Sequence, residues 1–192
     1  MLVLICGKSG TGKTAVSKLL QDKYHWRRIT TCTTRPKRQN ETNEYIFMDN
    51  DVFDIFMKKD QFVEVTEYNA TYGLARYGTL KWIIEDAVTS NLPYVLVVDP
   101  AGLKHYKEVY PDRTFAIRFD AKDEHLTMRL LGRGDRLEEI KRRLFADAQD
   151  LKIIDEVDIV NIDANLTIEY VAEKVVSETK LWYHEHNIEY SI

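Results

Sequence analysis

Residues 7–14 read Gly-Lys-Ser-Gly-Thr-Gly-Lys-Thr, which sets two glycines, a lysine and a threonine at the spacing G-x-x-x-x-G-K-[ST]. No other run constrains the fold as much, because its chemistry works only between a strand and a helix. The flanks comply. Residues 2–6 form a short apolar run suited to a buried strand, and Ala15, Val16, Leu19 and Leu20 follow at helical spacing. Glycines let backbone N–H groups approach phosphate oxygens with no Cβ in the way. The helix N-terminus adds partial positive charge. Lys13 is expected at the β- and γ-phosphates, and the Thr14 hydroxyl on Mg²⁺. By itself the motif specifies a nucleoside triphosphate. It does not separate a kinase from a GTPase or an ATPase.

A chain of 192 residues accommodates one domain with a sizeable core, or one domain plus a small lid. Its hydrophobic content of 44% argues against disorder, and the formal charge of −4 argues against general nucleic-acid binding. Phosphate recognition is therefore expected to be local. Cys6 and Cys32 lack metal-type spacing and are expected as buried or half-buried thiols. The five histidines form no ligand cluster. No secretory signal and no span-length apolar segment is present, so the expected location is cytoplasmic, with no membrane partner.

Strand and helix signals alternate along most of the chain, which predicts a parallel sheet covered on both faces, with the phosphate loop at its carboxyl edge. Strands are expected at residues 28–34, 45–48, 62–66, 94–98, 115–119 and 157–162. Helices are expected at about 80–89, 124–131, 137–149 and 168–182, and one after Asp49 and Asn50 with Val52, Phe53, Phe56 and Met57 on one face. Ile83, Ile84 and Val88 should face inward from the helix at 80–89, as should Leu137, Ile140 and Leu144 from that at 137–149. Residues 32–75 look different, with short strands and a short helix, as a small inserted subdomain would. The aromatic tail from Trp182 is expected to pack back on the domain.

A phosphate loop needs an acid to organise its metal. Asp99 ends the most hydrophobic strand, as a Walker B acid does, although Pro100 after it also suits a simple turn. Arginines cluster twice. Arg35 and Arg38 follow the second strand, while Arg129, Arg133, Arg136, Arg142 and Arg143 surround Gly132 and Gly134, a candidate flexible lid. Forked guanidinium groups suit phosphate oxygens, and two clusters suggest two phosphorylated ligands. That points to phosphoryl transfer onto a second phosphate. Arg142 points sideways and reads as a solvated charge.

Several of these segments together resemble the guanylate kinase family. They are Thr33-Thr34-Arg35-Pro36-Lys37-Arg38 with Glu41 and Tyr45, then Gln61-Phe62-Val63-Glu64, then Arg76-Tyr77-Gly78-Thr79. Further on come Arg129-Leu130-Leu131-Gly132-Arg133-Gly134, Lys141-Arg142-Arg143-Leu144 and Asp158-Ile159-Val160-Asn161. The likeness runs in order from Leu2 to about Lys180. It implies an α/β P-loop kinase fold, with a core at about 1–31 and 80–192, a nucleoside-monophosphate subdomain at about 32–79 and a lid at about 129–143. It implies ATP- and Mg²⁺-dependent transfer to GMP, and to dGMP.

ATP would lie on Gly7, Ser9, Gly10, Thr11, Gly12, Lys13 and Thr14, with Asn161 near the adenine. GMP would be held by Thr31, Arg35, Arg38, Tyr45, Glu64, Tyr77, Thr79 and Asp99. Lys13, Arg129, Arg133, Arg143 and Asp99 would carry catalysis, and Thr14 and Asp99 the metal. Glu64 would accept from guanine N1–H and the 2-amino group, which adenine cannot offer.

The likeness also has departures. Val97 stands where the family usually has a first acid, two residues before Asp99. The interval from Glu64 to Tyr77 is about four residues longer, which leaves Tyr72 as a competitor; Tyr77 is preferred because Thr79 follows. The stretch 134–139 is slightly short. Two other readings stay open: a related kinase for another phosphorylated acceptor, and a non-catalytic binding module.

Overall fold

The computed structural model describes residues 1–37, 45–70 and 73–189. Arg38, Glu41 and Tyr72 lie outside the described residues.

The first strand, β1 (Leu2–Gly7), is central in a five-stranded parallel sheet of order β2-β7-β1-β8-β9. Its partners are β7 (Tyr94–Val97) and β8 (Thr114–Asp120), flanked by β2 (Arg27–Arg28) and β9 (Val160–Asp163). Alternation along β1 sends Met1, Val3 and Ile5 to one face and Leu2, Leu4 and Cys6 to the other, all fully buried. Such two-sided burial is why the segment reads as a continuous apolar run. On the first face lie α1 (Lys13–Tyr24) and α7 (Ile168–Glu185), through Val16, Leu20, Val171 and Val175. On the second lie α3 (Lys81–Thr89) and α4 (Pro100–Val109), through Ile84, Leu103 and Tyr106. Trp182 and Tyr183 at the end of α7 are buried in the first of these cores, so the tail does pack back.

A second sheet of order β4-β3-β6-β5 holds β3 (Cys32–Thr33), β4 (Ile46–Phe47), β5 (Phe62–Ala70) and β6 (Gly73–Leu80). Beneath it α2 (Asn50–Lys58) contributes Phe53, stacked at 4.6 Å on Phe62, to a core with Cys32 and Leu80. A pair of helices, α5 (Asp123–Gly132) and α6 (Leu137–Asp150), closes over a small core of Leu126, Leu130, Ile140 and Leu144.

The structure corrects four sequence expectations and adds two elements. The strand at 28–34 is two pieces in different sheets. Ile29 N–H still bonds Val95 in the large sheet, whereas Cys32 pairs with Ile46 and Gly78 in the small one. Val52 and Met57 are exposed on α2, which buries only Phe53 fully and Phe56 in part. Leu137 is likewise exposed at the start of α6. The last strand begins at Val160, because residues up to Val157 close a 3-10 turn. Two elements were absent from the sequence reading, α4 and β6.

Candidate active site

Gly7 ends β1 at φ +141°, and a Cβ there would stand 2.5 Å from the Phe119 carbonyl oxygen, so only glycine lets the chain leave the sheet here. The loop then turns into α1 through Gly12, which caps the helix at φ +90°. Side chains fix what lies between. Lys13 Nζ donates to the carbonyls of Gly7 at 2.6 Å and Lys8 at 2.9 Å, and Thr11 Oγ1 donates to Lys8 at 2.8 Å. Burial pulls the Lys13 pKa down to about 8, and the Asp147 carboxylate opposes that fall. The ammonium therefore stays largely charged near neutrality.

A cleft of about 430 Å³ opens beside this loop. Ser9, Gly10, Gly12, Lys13, Thr14 and Ala15 form one wall. Arg129, Leu130, Arg133 and Arg143, on α5, α6 and their junction, form a second wall, while Arg35, Tyr45 and Tyr77 line the cleft from the region of the second sheet. Val97 completes the lining at the end of β7. The phosphate loop, the arginines at 129, 133 and 143, and Arg35 thus share one space.

Each arginine is aimed by an identifiable partner. Arg35 is only 5% exposed, with its guanidinium 5.1 Å from the Tyr45 ring centre and 5.4 Å from that of Phe47. Arg133 pairs with Asp135 at 2.6 Å, and Arg143 donates to the other oxygen of Asp135 at 3.3 Å and to Ser9 Oγ at 3.4 Å. Arg129 is exposed and donates to the Gly10 carbonyl at 3.4 Å. Arg142 is exposed, consistent with a solvated charge.

The second sheet supplies one carboxylate, Glu64, and the segment between β7 and α4 supplies another, Asp99. Glu64 on β5 accepts from Thr79 Oγ1 of β6 at 2.6 Å and from the Tyr106 hydroxyl of α4 at 3.4 Å. Burial, reinforced by the charge of Asp99, pushes its pKa up to about 6 despite those donors. Asp99 accepts from Gly102 N–H at Oδ1 and from the Tyr68 hydroxyl at Oδ2, each at 2.7 Å. Its first role is thus the N-cap of α4, with Pro100 at the first helical position. Tyr45, Tyr77 and Tyr68 form an edge-to-face row with 5.7 Å spacings.

Several expected contacts do not line this cleft: Gly7, Thr11, Thr31, Glu64, Thr79, Asp99 and Asn161. Thr31 lines a smaller hollow with Thr14, Arg28 and Tyr45, a hollow that Glu64 and Thr79 do not line. Asn161 is exposed on β9 opposite Arg118 and does not line the cleft. Three contributors escaped the sequence reading: Tyr68, Tyr106 and Asp147, the last accepting from Ser9 N–H at 2.6 Å. Among the described residues no group of three or more His, Cys, Asp or Glu could hold a metal. Thr14 nevertheless offers a hard oxygen donor on the cleft wall, which fits a Mg²⁺ bound mainly through nucleotide phosphates and water. No helix among the described residues is long and apolar enough to cross a membrane.

A glycine-rich loop at the carboxyl edge of a parallel sheet flanked by helices is the P-loop kinase fold, and here it faces arginines of α5 and α6. The family model for guanylate kinase matches residues 1–178, and the chain belongs to that family. Its activity is accordingly the ATP-dependent phosphorylation of GMP. A guanylate kinase of Clostridioides difficile (strain 630) is 28% identical over 186 residues, covering 94% of this chain and 88% of that protein. In fold, the chain matches the crystal structure of guanylate kinase from Anaplasma phagocytophilum at TM-score 0.70 and 23% identity, over 97% of this chain and 85% of that one.

Proposed function

We propose that this cleft moves the γ-phosphoryl group of ATP onto the phosphate of GMP or dGMP, with the donor on the phosphate loop and the acceptor on the second sheet. The observation that carries the reading is Glu64, a half-buried carboxylate oriented by Thr79 and Tyr106 at the second sheet. An ionised Glu64 accepts from guanine N1–H and the 2-amino group, with Thr79 holding the carboxylate in place. Asp99 retains unused lone pairs beyond its bonds to Gly102 and Tyr68, and its charge acts on Glu64, which favours the base over the metal as its ligand. Arg35, Tyr45 and Tyr77 hold the acceptor phosphate, joined by Arg38. dGMP is included because these contacts fall on base and phosphate.

In the reaction, an acceptor phosphate oxygen forms a bond to the γ-phosphorus while the bond to the β,γ-bridging oxygen breaks, releasing ADP. The attacking oxygen is already anionic, so no general base is needed. Lys13 and the arginines at 129, 133 and 143 supply positive charge where it accumulates, and lid closure excludes water. When bound, Mg²⁺ would be held on the protein by Thr14 and would supply charge neutralisation at the donor phosphates. Residues 32–79 act as the acceptor subdomain and 129–143 as the lid. A cytoplasmic location goes with this reading, supported by two buried cysteines that remain thiols.

The test is a diphosphate-release assay with ATP and Mg²⁺, offering GMP, dGMP, AMP, CMP, UMP and dTMP in parallel. Turnover confined to GMP and dGMP is expected. Turnover with another acceptor would overturn the substrate, and none at all in ATP-binding protein would point to a binding module.

A further inference from the structure

Helix α6 hydrogen-bonds Ser9 of the phosphate loop in two ways. Arg143 reaches the Ser9 hydroxyl at 3.4 Å, and Asp147, one turn further along the same helix, accepts from the Ser9 backbone N–H at 2.6 Å. That N–H belongs to the loop whose amides are built to receive phosphate oxygens. A carboxylate oxygen at this distance makes a charge-assisted bond of the same kind a phosphate oxygen would make. Lys13, whose charge Asp147 favours, and Arg133 and Arg143, cations a phosphate would meet, line the cleft beside Ser9. Of these, Arg143 is held on its other side by Asp135, so two acids, Asp135 before α6 and Asp147 on it, are engaged with groups the donor would use.

We propose that Asp147 is a resident anion of the donor site, which occupies the Ser9 amide in the empty enzyme and is displaced by the donor's phosphates. The inference rests on the donor reading of the phosphate loop and on nothing about the acceptor. Electrostatics set its direction. Two anions cannot share one N–H, and an unpaired carboxylate left beside an arriving triphosphate is repelled. Binding of the donor therefore breaks the Ser9–Asp147 bond and frees that stretch of α6. Because Arg143 lies one turn earlier on the same rigid helix, the displacement carries its guanidinium along. Asp147 thus acts as a positioning residue: it couples arrival of the donor to the placement of a lid arginine, and it weakens donor binding in the ground state.

The test uses the full chain without acceptor. Binding of Mg²⁺-ATP and of metal-free tripolyphosphate is measured by calorimetry for the wild type, Asp147→Asn and Asp147→Ala, with GMP binding as the control. Both variants are expected to bind ATP and tripolyphosphate about three- to tenfold more tightly, the worth of one hydrogen bond to a charged group. GMP affinity should not move, which separates this effect from a general loosening of the fold. Equal or weaker binding of both polyphosphates by variants that still bind GMP would overturn the proposal. Absence of ATP binding by every form, wild type included, would overturn the donor-site reading and this inference with it.

Discussion

On the donor side of the cleft, eight consecutive residues supply the loop, the lysine and the threonine, and backbone geometry does most of the work: Gly7 clears the Phe119 carbonyl and Gly12 opens α1. On the acceptor side, no two of Arg35, Tyr45, Glu64 and Tyr77 are adjacent in sequence, and each is aimed by another side chain. A loop built from backbone amides recognises what all nucleoside triphosphates share. Side chains placed by a separate sheet can recognise what distinguishes one base from another. The difference implies that general affinity and specificity are separable here, and it can be attacked from either end.

The largest effect is expected from Lys13→Met, which removes the central cation of the donor wall. kcat should fall by about 10²–10³-fold. GMP affinity in the absence of ATP, read by calorimetry, should change less than about twofold if the two sides are independent.

A pH profile sharpens the contrast. With the Glu64 pKa raised to about 6 by burial, the free enzyme loses its ionised carboxylate as pH falls through that value. kcat/KM for GMP should then drop about tenfold per unit below pH 6, whereas ATP binding stays level across that range. The stability sign is opposite. A carboxyl whose folded pKa exceeds its ordinary value of 4.5 binds its proton more tightly when folded, so ionised Glu64 costs stability near neutrality. Glu64→Gln should therefore stabilise the ligand-free protein at pH 7 by about 1 kcal/mol in urea unfolding, and the gain should vanish below about pH 4.5.

The smallest expected effect belongs to Tyr68→Phe. It deletes the hydroxyl bonded to Asp99 but keeps the aromatic ring against Tyr77. A rise in the GMP KM of about two- to fivefold with kcat preserved would mark Tyr68 as an acceptor-side support.

The same division governs what could be read before the structure. The phosphate loop was legible because its residues are contiguous and flanked by clear periodicity. The acceptor residues were reached by family likeness, since their partners are set by the second sheet. Helix α4 was missed because Pro100 after Asp99 reads as a turn, yet the pair is also an N-cap followed by proline at the first helical position. Missing α4 meant missing Tyr106 on Glu64. Strand β6 carries Gly73, Arg76 and Gly78 and owes its form to antiparallel pairing with β5, from Gly73 opposite Ala70 to Leu80 opposite Phe62. Asp147 gave no local signal at all. It is one acid among several on α6, and its partner Ser9 lies 138 residues away.

The most direct test of the claim that the acceptor side reads guanine is the ratio of kcat/KM for GMP to that for AMP, measured with ATP for the wild type and Glu64→Gln. The ratio is expected to be large in the wild type and to fall by about 10²-fold or more in the variant, mainly through GMP. An unchanged ratio in a folded, ATP-binding variant would contradict the assignment of Glu64.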